Sequence, residues 1–173
     1  MGTQEKLKNK MKEQMLKFEP QSIVDDARVF YVGDKVYRAI YGKEQANLFM
    51  RLFKQNKFEI LFQQGLIRTK IAEDMSVPNC SLVLEHEKIP FIIDPSEMTP
   101  QMFFKAANLM VNLGRELATM GLKLKDAHPW NFTFFSFKPL FFDFSSIVNS
   151  NQVSEIWMNE FYTYFAVPLF LAK

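Results

Sequence analysis

The chain has 173 residues, 48% of them hydrophobic and 23% charged, with 21 Lys and Arg against 19 Asp and Glu. That is enough chain for one domain with a proper core, or a compact domain plus an arm, and it is too apolar for a disordered one. A net charge of +2 makes no bulk electrostatic case for nucleic acid, and a single cysteine, Cys80, excludes an internal disulfide and a cysteine-rich zinc site.

The same cysteine usage fits a reducing cytoplasm. No apolar run is long enough to span a bilayer, and the N-terminus lacks a secretory-type apolar core. Phe occurs 19 times, so many rings must be internal, and any cluster left outside would mark a partner surface.

Leu7, Met11 and Met15 fall on one helical face among lysines, which predicts an amphipathic helix over residues 3–18 within an arm of 1–20. Docking onto the domain is the plain role for it, because the interspersed acids weaken a membrane-surface case. Glu19-Pro20 ends the segment. Residues 28–41 alternate like two strands around Gly33-Asp34, a hairpin signal. Ala46, Phe49, Met50 and Phe53 then recur at helical spacing from about Lys43 to Gln55.

After Gly65 the segment LIRTKIAE reads as extended or mixed. Ser81–Glu85 predicts a buried strand and Ile89–Ile93 another, with His86-Glu87-Lys88 as the turn and His86 solvated within it. Pro95 and Pro100 punctuate a loop. A long helix follows, with Thr99 as N-cap and Pro100 at the first position. Phe103, Ala106, Ala107, Met110, Leu113, Gly114 and Leu117 make its inward stripe, and Gly121 ends it.

Two Phe-rich strands flank a turn near Lys138-Pro139. A last helix from about Ser154 to Phe165 carries Ile156, Trp157, Phe161 and Tyr164, with Pro168 as its limit. This order predicts an α+β chain with the abbreviated two-lobed layout of protein-kinase-like folds, a small antiparallel sheet plus helices. Residues 21–93 would be N-lobe-like and 94–173 a partial C-lobe.

The chemistry concentrates in LKDAHPWNFTFFSFKPLFFDFSSI, residues 124–147. Asp126 and Asn131 have the spacing D-x-x-x-x-N of a phosphotransferase catalytic loop, and Asp143-Phe144-Ser145 stands where D-F-G would after a hairpin. In that pattern Asp126 orients or deprotonates the attacking hydroxyl, and Asn131 and Asp143 hold magnesium against phosphate. The plainer readings are a turn residue for Asp126, a turn closure for Asn131 and a capped strand end for Asp143. An unpaired carboxylate in an apolar strand is costly, so Asp143 needs a cation, a metal ion or backbone N–H groups. His128 could assist phosphate or metal binding, or simply pair with a carboxylate.

The nucleotide side is thinly furnished. Neither G-x-G-x-x-G nor a Walker loop is present. Val36-Tyr37-Arg38-Ala39-Ile40 stands nearest to V-A-I-K, placing Arg38 where a phosphate-contacting lysine would be, with Glu44 on the next helix as its partner. Arg clamps phosphate but does not replace Lys equally.

The run from Lys88 to Ile147 resembles the N-terminal region of bacterial S-adenosylmethionine-dependent methyltransferases, some of them nodulation-protein-like. Ile89-Pro90-Phe91-Ile92, Pro95, Glu97, Gly121, Leu124-Lys125-Asp126-Ala127, Asn131, Pro139, Phe141, Asp143 and Ser146 carry the likeness. Trp157, Phe161, Phe165, Pro168 and Leu169 extend it, whereas Met98 stands where that family tends to have Trp. The resemblance implies a kinase-like module coupled to a methyltransferase domain that this chain does not itself contain.

The expected function is therefore binding of a nucleotide or phosphorylated small molecule, with Mg2+ and ATP as cofactors, in an accessory or substrate-presenting role. The alternatives are an active small-molecule phosphotransferase and a non-catalytic interaction module that docks through a Phe-rich face.

Overall fold

The computed structural model describes residues 17–18, 27–151 and 156–172. The helix expected over residues 3–18 lies outside these, except that Lys17–Phe18 form strand β1. The fold is α+β, a small antiparallel sheet with helices, and the chain divides into two compact units. One holds the described residues up to Gln55 with Arg68–Lys88; the other holds Asn56–Ile67 with the described residues from Ile89 onward.

The first unit is an antiparallel sheet of order β1-β2-β3-β5-β4. Strands β2 (Ala27–Val32) and β3 (Lys35–Ile40) form the hairpin read from the sequence, and the turn places Gly33 at φ +58°, where a side chain would be strained. β3 pairs with β5 (Leu82–His86), which pairs with β4 (Thr69–Ile71). Helix α1 (Lys43–Lys54) buries Ala46, Leu48, Phe49 and Leu52 along one stripe. Phe30, Tyr37, Ala39, Val77 and Val83 form a core cluster, with the Phe30 and Tyr37 rings stacked at 5.3 Å.

His86 is not the solvated turn residue that its His-Glu-Lys context predicts. It ends β5, is only 6% exposed, and faces Thr69 and Val36 across the sheet. Arg38 Nε donates to His86 Nε2 at 3.3 Å, and His86 Nδ1 lies 2.8 Å from Thr69 Oγ1. Because Nε2 accepts, Nδ1 carries the ring proton and donates to Thr69. Burial, and then the Arg38 charge, hold the imidazole well below its ordinary pKa of 6.5.

The second unit begins with α2 (Phe58–Gln64), a short helix for which the sequence reading has no counterpart. It is closed by Gly65 at φ +121°, where a Cβ would lie 3.0 Å from the Pro139 carbonyl oxygen. That close approach lets Gly65 O accept from Phe141 N and Ile67 N donate to Phe141 O, both at 2.8 Å. Ile89–Ile93 forms no strand. Pro90 cannot donate to a ladder, and Phe91 and Ile92 stand exposed.

Helix α3 (Pro100–Thr119) starts as its sequence dictates, with Thr99 Oγ1 accepting from Met102 N at 3.3 Å. Its buried stripe is Ala106, Ala107, Leu109, Met110, Leu113 and Leu117; Leu109 joins the expected set, while Phe103 and Gly114 are only half-buried. Strand β6 (Leu122–Leu124) pairs with β9 (Ile147–Asn149), and β7 (Phe132–Phe135) with β8 (Lys138–Phe141).

The β7–β8 turn is Ser136-Phe137, both at positive φ, and Pro139 lies inside β8 rather than in the turn. In place of one helix stopped by Pro168, α4 (Ile156–Phe161) runs through a π-helical turn (Tyr162–Ala166) into α5 (Val167–Leu171). Pro168 sits in the first turn of α5, where no donor is needed. The π-turn buries Phe165 against Phe103, Phe132 and Phe161. No helix among the described residues is long and apolar enough to cross a membrane.

Candidate functional site

The end of β6 and the turn after β8 are tied together by one serine. Ser146 is fully buried; its carbonyl and hydroxyl oxygens accept from Lys125 N at 2.8 and 3.1 Å. The same hydroxyl donates to Asp126 Oδ1 at 3.2 Å. A buried hydroxyl with both a donor and an acceptor partner fixes where the Asp126 carboxylate stands.

Asn131 closes the loop from its far end. It ends the 3-10 turn Pro129–Asn131, is 8% exposed, and donates from Nδ2 to Asp126 Oδ1 at 2.9 Å. Its carbonyl accepts from Phe142 N at 3.0 Å, anchoring it beside β8. The amide nitrogen is thus engaged by Asp126, and the amide oxygen is the side chain's acceptor.

Asp143 caps the 3-10 turn Phe144–Ser146. Its Oδ1 accepts from Ser145 N at 3.2 Å and from Ser145 Oγ at 2.7 Å. The backbone partner expected of an acid in this apolar setting is thus Ser145, the residue beyond Phe144. Ser145 and Ser146 are both buried, and Ser146 N donates to Asp143 O at 3.2 Å. One turn therefore presents Asp143 and, through Ser146, holds Asp126.

The electrostatics follow from this placement. Burial, and next the Asp143 carboxylate, push the Asp126 carboxyl above the ordinary carboxylate range. Glu160 adds a weaker push, while His128 and Lys125 pull the other way. A cation placed beside Asp126 and Asp143 would offset that push.

Glu160 and Ser146 play parts that spacing alone did not reveal. Glu160, on α4, accepts from Ala127 N at 2.8 Å and so pins the backbone beside Asp126. No loop motif marks a carboxylate so far along the chain; the fold alone brings it to the loop. His128 packs edge-on to Trp130, and its Nδ1 is buried with no hydrogen-bond partner among the described residues. Trp130 in turn meets Tyr164 of the π-turn at 5.6 Å and 89°.

Arg38 and Glu44 belong to the first unit. Arg38 is buried and bonded to His86; Glu44 is exposed in the first turn of α1 and has no ion-pair partner among the described residues.

The donors of the loop and turn are all oxygens: the Asp126 and Asp143 carboxylates and the Asn131 amide. The described residues contain no group of three or more His, Cys, Asp or Glu side chains that could hold a metal ion. That set suits Mg2+, which keeps several waters and takes one or two carboxylates plus phosphate oxygens. It does not suit zinc, which takes nitrogen and sulfur donors in a closed shell.

The fold and loop thus define an α+β chain with a paired Asp–Asn loop facing an Asp-capped turn. No protein-family model matches the chain, and no curated protein matches it. Among solved structures it is similar to WbdD at 17% identity and a TM-score of 0.49, covering 88% of this chain and 37% of that one. It is also similar to the Lpg2603 kinase of Legionella pneumophila, whose structure is bound to IP6, at 15% identity and a TM-score of 0.45. There the likeness covers 82% of this chain and 54% of the other. The chain spans well under two thirds of either protein.

Proposed function

We propose that the second unit carries a kinase-like site that binds the phosphates of a nucleotide or phosphorylated small molecule together with Mg2+. The observation that carries this reading is the 2.9 Å bond from Asn131 Nδ2 to Asp126 Oδ1, made while Asp143 acts on the same carboxylate from the adjoining turn. The proposed Mg2+ ligands are Asp143 and the Asn131 amide oxygen. Bound there, the ion would supply positive charge against phosphate oxygens. Asp126 is the proposed hydroxyl-orienting group: its carboxylate is fixed by two side-chain donors, and its raised proton affinity suits it to take a proton from an attacking alcohol.

An accessory role beside a methyltransferase is the finer part of the proposal, and it is supported by the sequence resemblance alone. The rival reading is a docking module without ligand chemistry. It is favoured by the exposed apolar end of α5, where Phe170 is 73% and Leu171 76% exposed.

Melting the full chain with and without Mg-ATP decides between them. Ligand at about 100 times its Kd stabilises a protein by about 2.7 kcal/mol, a shift of several degrees. We expect that shift in the parent chain and its loss in Asp143→Asn and Asp126→Asn, each shown to be folded by circular dichroism. A folded parent chain that shows no shift with Mg-ATP or with a panel of phosphorylated small molecules overturns the phosphate site and leaves the docking module.

A further inference from the structure

The second unit also carries a groove of about 450 Å3 between α3, β6 and α4. Val111, Gly114, Ala118, Leu124, Trp157 and Met158 line it, and Arg115 and Lys123 are the charged groups on its wall. The size lies within the range of small-molecule sites, which are mostly apolar with a few placed polar groups.

The floor of the groove holds the informative residue. Gly114 sits in the middle of a twenty-residue helix, where glycine weakens the helix relative to alanine. A Cβ at this position would meet no atom within 4 Å. Nothing in the chain's own described packing therefore requires the glycine, and the missing side chain instead deepens the groove. Opposite, Trp157 stacks flat on Phe161 at 5.1 Å and 6°, which holds the indole in a defined plane. Met158 is half exposed, and its flexible thioether adapts to varied apolar shapes.

Among the described residues, the charge on the wall is of one sign. Both charged lining residues are cations, and no carboxylate among the described residues pairs with Arg115. An apolar trough with cations at its wall is complementary to an amphiphile that carries an acid head. We propose that this groove binds a small organic anion with an apolar acyl or aryl body, lying over Gly114 and along Trp157, its acid group turned toward Arg115. Its lining includes none of Asp126, Asn131 and Asp143, and the proposal does not rest on their function.

The test is a calorimetric and tryptophan-emission titration of the full chain with decanoate and, in parallel, with uncharged decanol. We expect saturable decanoate binding at one site per chain, with an emission change that persists in Trp130→Phe. Gly114→Leu extends a side chain into the trough from a Cβ that meets no atom within 4 Å; it should lower decanoate affinity at least about tenfold while the melting temperature holds or rises. Gly114→Ala serves if the leucine variant misfolds, with a smaller loss expected. Arg115→Glu should weaken decanoate several-fold and leave decanol unchanged. No saturable binding, or binding unaltered in a folded Gly114 variant, overturns the site. Decanol binding as tightly as decanoate overturns the requirement for an anion.

Discussion

The Glu160 carboxylate accepts the backbone N–H of Ala127 at 2.8 Å, so a helix distant in sequence fixes the peptide that follows Asp126. A charged acceptor on a backbone donor is among the stronger hydrogen bonds, contributing about 1.5–3 kcal/mol. Glu160→Ala should therefore destabilise the second unit by about 1–2 kcal/mol. It should also speed hydrogen exchange at Ala127 more than at α3 amides. Glu160→Gln keeps an oxygen acceptor and should restore most of the protection; equal exchange at Ala127 in all three proteins would refute the pin.

Asp126 titrates above the ordinary carboxylate range because it is buried and, secondarily, because Asp143 is near. In Asp143→Asn the like charge is gone and the burial remains. The Asp126 pKa should fall in that variant yet stay above its unfolded value of 3.8. Carbon-detected NMR titration of the Asp126 carboxyl reads this directly. An unchanged midpoint would separate the two acids electrically. In the parent chain, lowering the pH through the raised midpoint should also weaken binding at the proposed Mg2+ site, because the protonated acid no longer attracts a cation.

His86 gives the opposite sign. Its folded pKa lies well below 6.5, so between the two values the unfolded chain binds more protons than the native one. Stability contributed by the neutral ring is whole above the unfolded pKa and is lost as pH falls below about 6.5, at up to about 1.4 kcal/mol per pH unit. The melting temperature of the first unit should drop between pH 7 and pH 5. His86→Gln, which retains polar contacts to Arg38 and Thr69 without titrating, should flatten that slope. A slope of the same size in the variant would assign the acid sensitivity elsewhere.

The Ser136-Phe137 turn holds two non-glycine residues at φ +49° and +64°, with the Phe137 ring 89% exposed. Left-handed backbone at an ordinary residue costs about 1–3 kcal/mol, and Asn-Gly is the pair that this turn prefers. Replacing Ser136-Phe137 by Asn-Gly should raise stability by about 1 kcal/mol, or about 2–4 °C in melting temperature. No gain would mean that the exposed ring contributes to folding in a way its exposure conceals.

Periodicity made the main elements readable. The β2–β3 hairpin showed because Gly33 supplies the one backbone angle its turn needs, and α3 because Thr99, Pro100 and an apolar stripe all agree. Asp126 and Asn131 were legible as a pair because their spacing reflects a real contact, which the structure closes at 2.9 Å. Local signals failed where tertiary pairing overrode them. His-Glu-Lys looks like a turn, yet His86 is claimed by Arg38 and Thr69 inside the sheet. Pro139 looks like a turn former, but the two-residue connection falls two residues earlier and the proline occupies a strand of a two-stranded sheet, where its missing donor does little harm.

Other features had no local signal at all. Phe58–Gln64 is too short to show a period, and it is fixed by Phe58 packing on Phe144 at 4.8 Å. Glu160 belongs to the loop only through the fold. Gly114 has the spacing of the inward stripe, but spacing cannot tell a packed helix face from one that opens into a groove.

Phe165 is the keystone of the C-terminal segment: its ring meets that of Phe132, the residue directly after Asn131. A version of this chain cut back by ten residues would therefore not merely be shorter. It would lose the ring that braces Phe132, the neighbour of the loop's last residue.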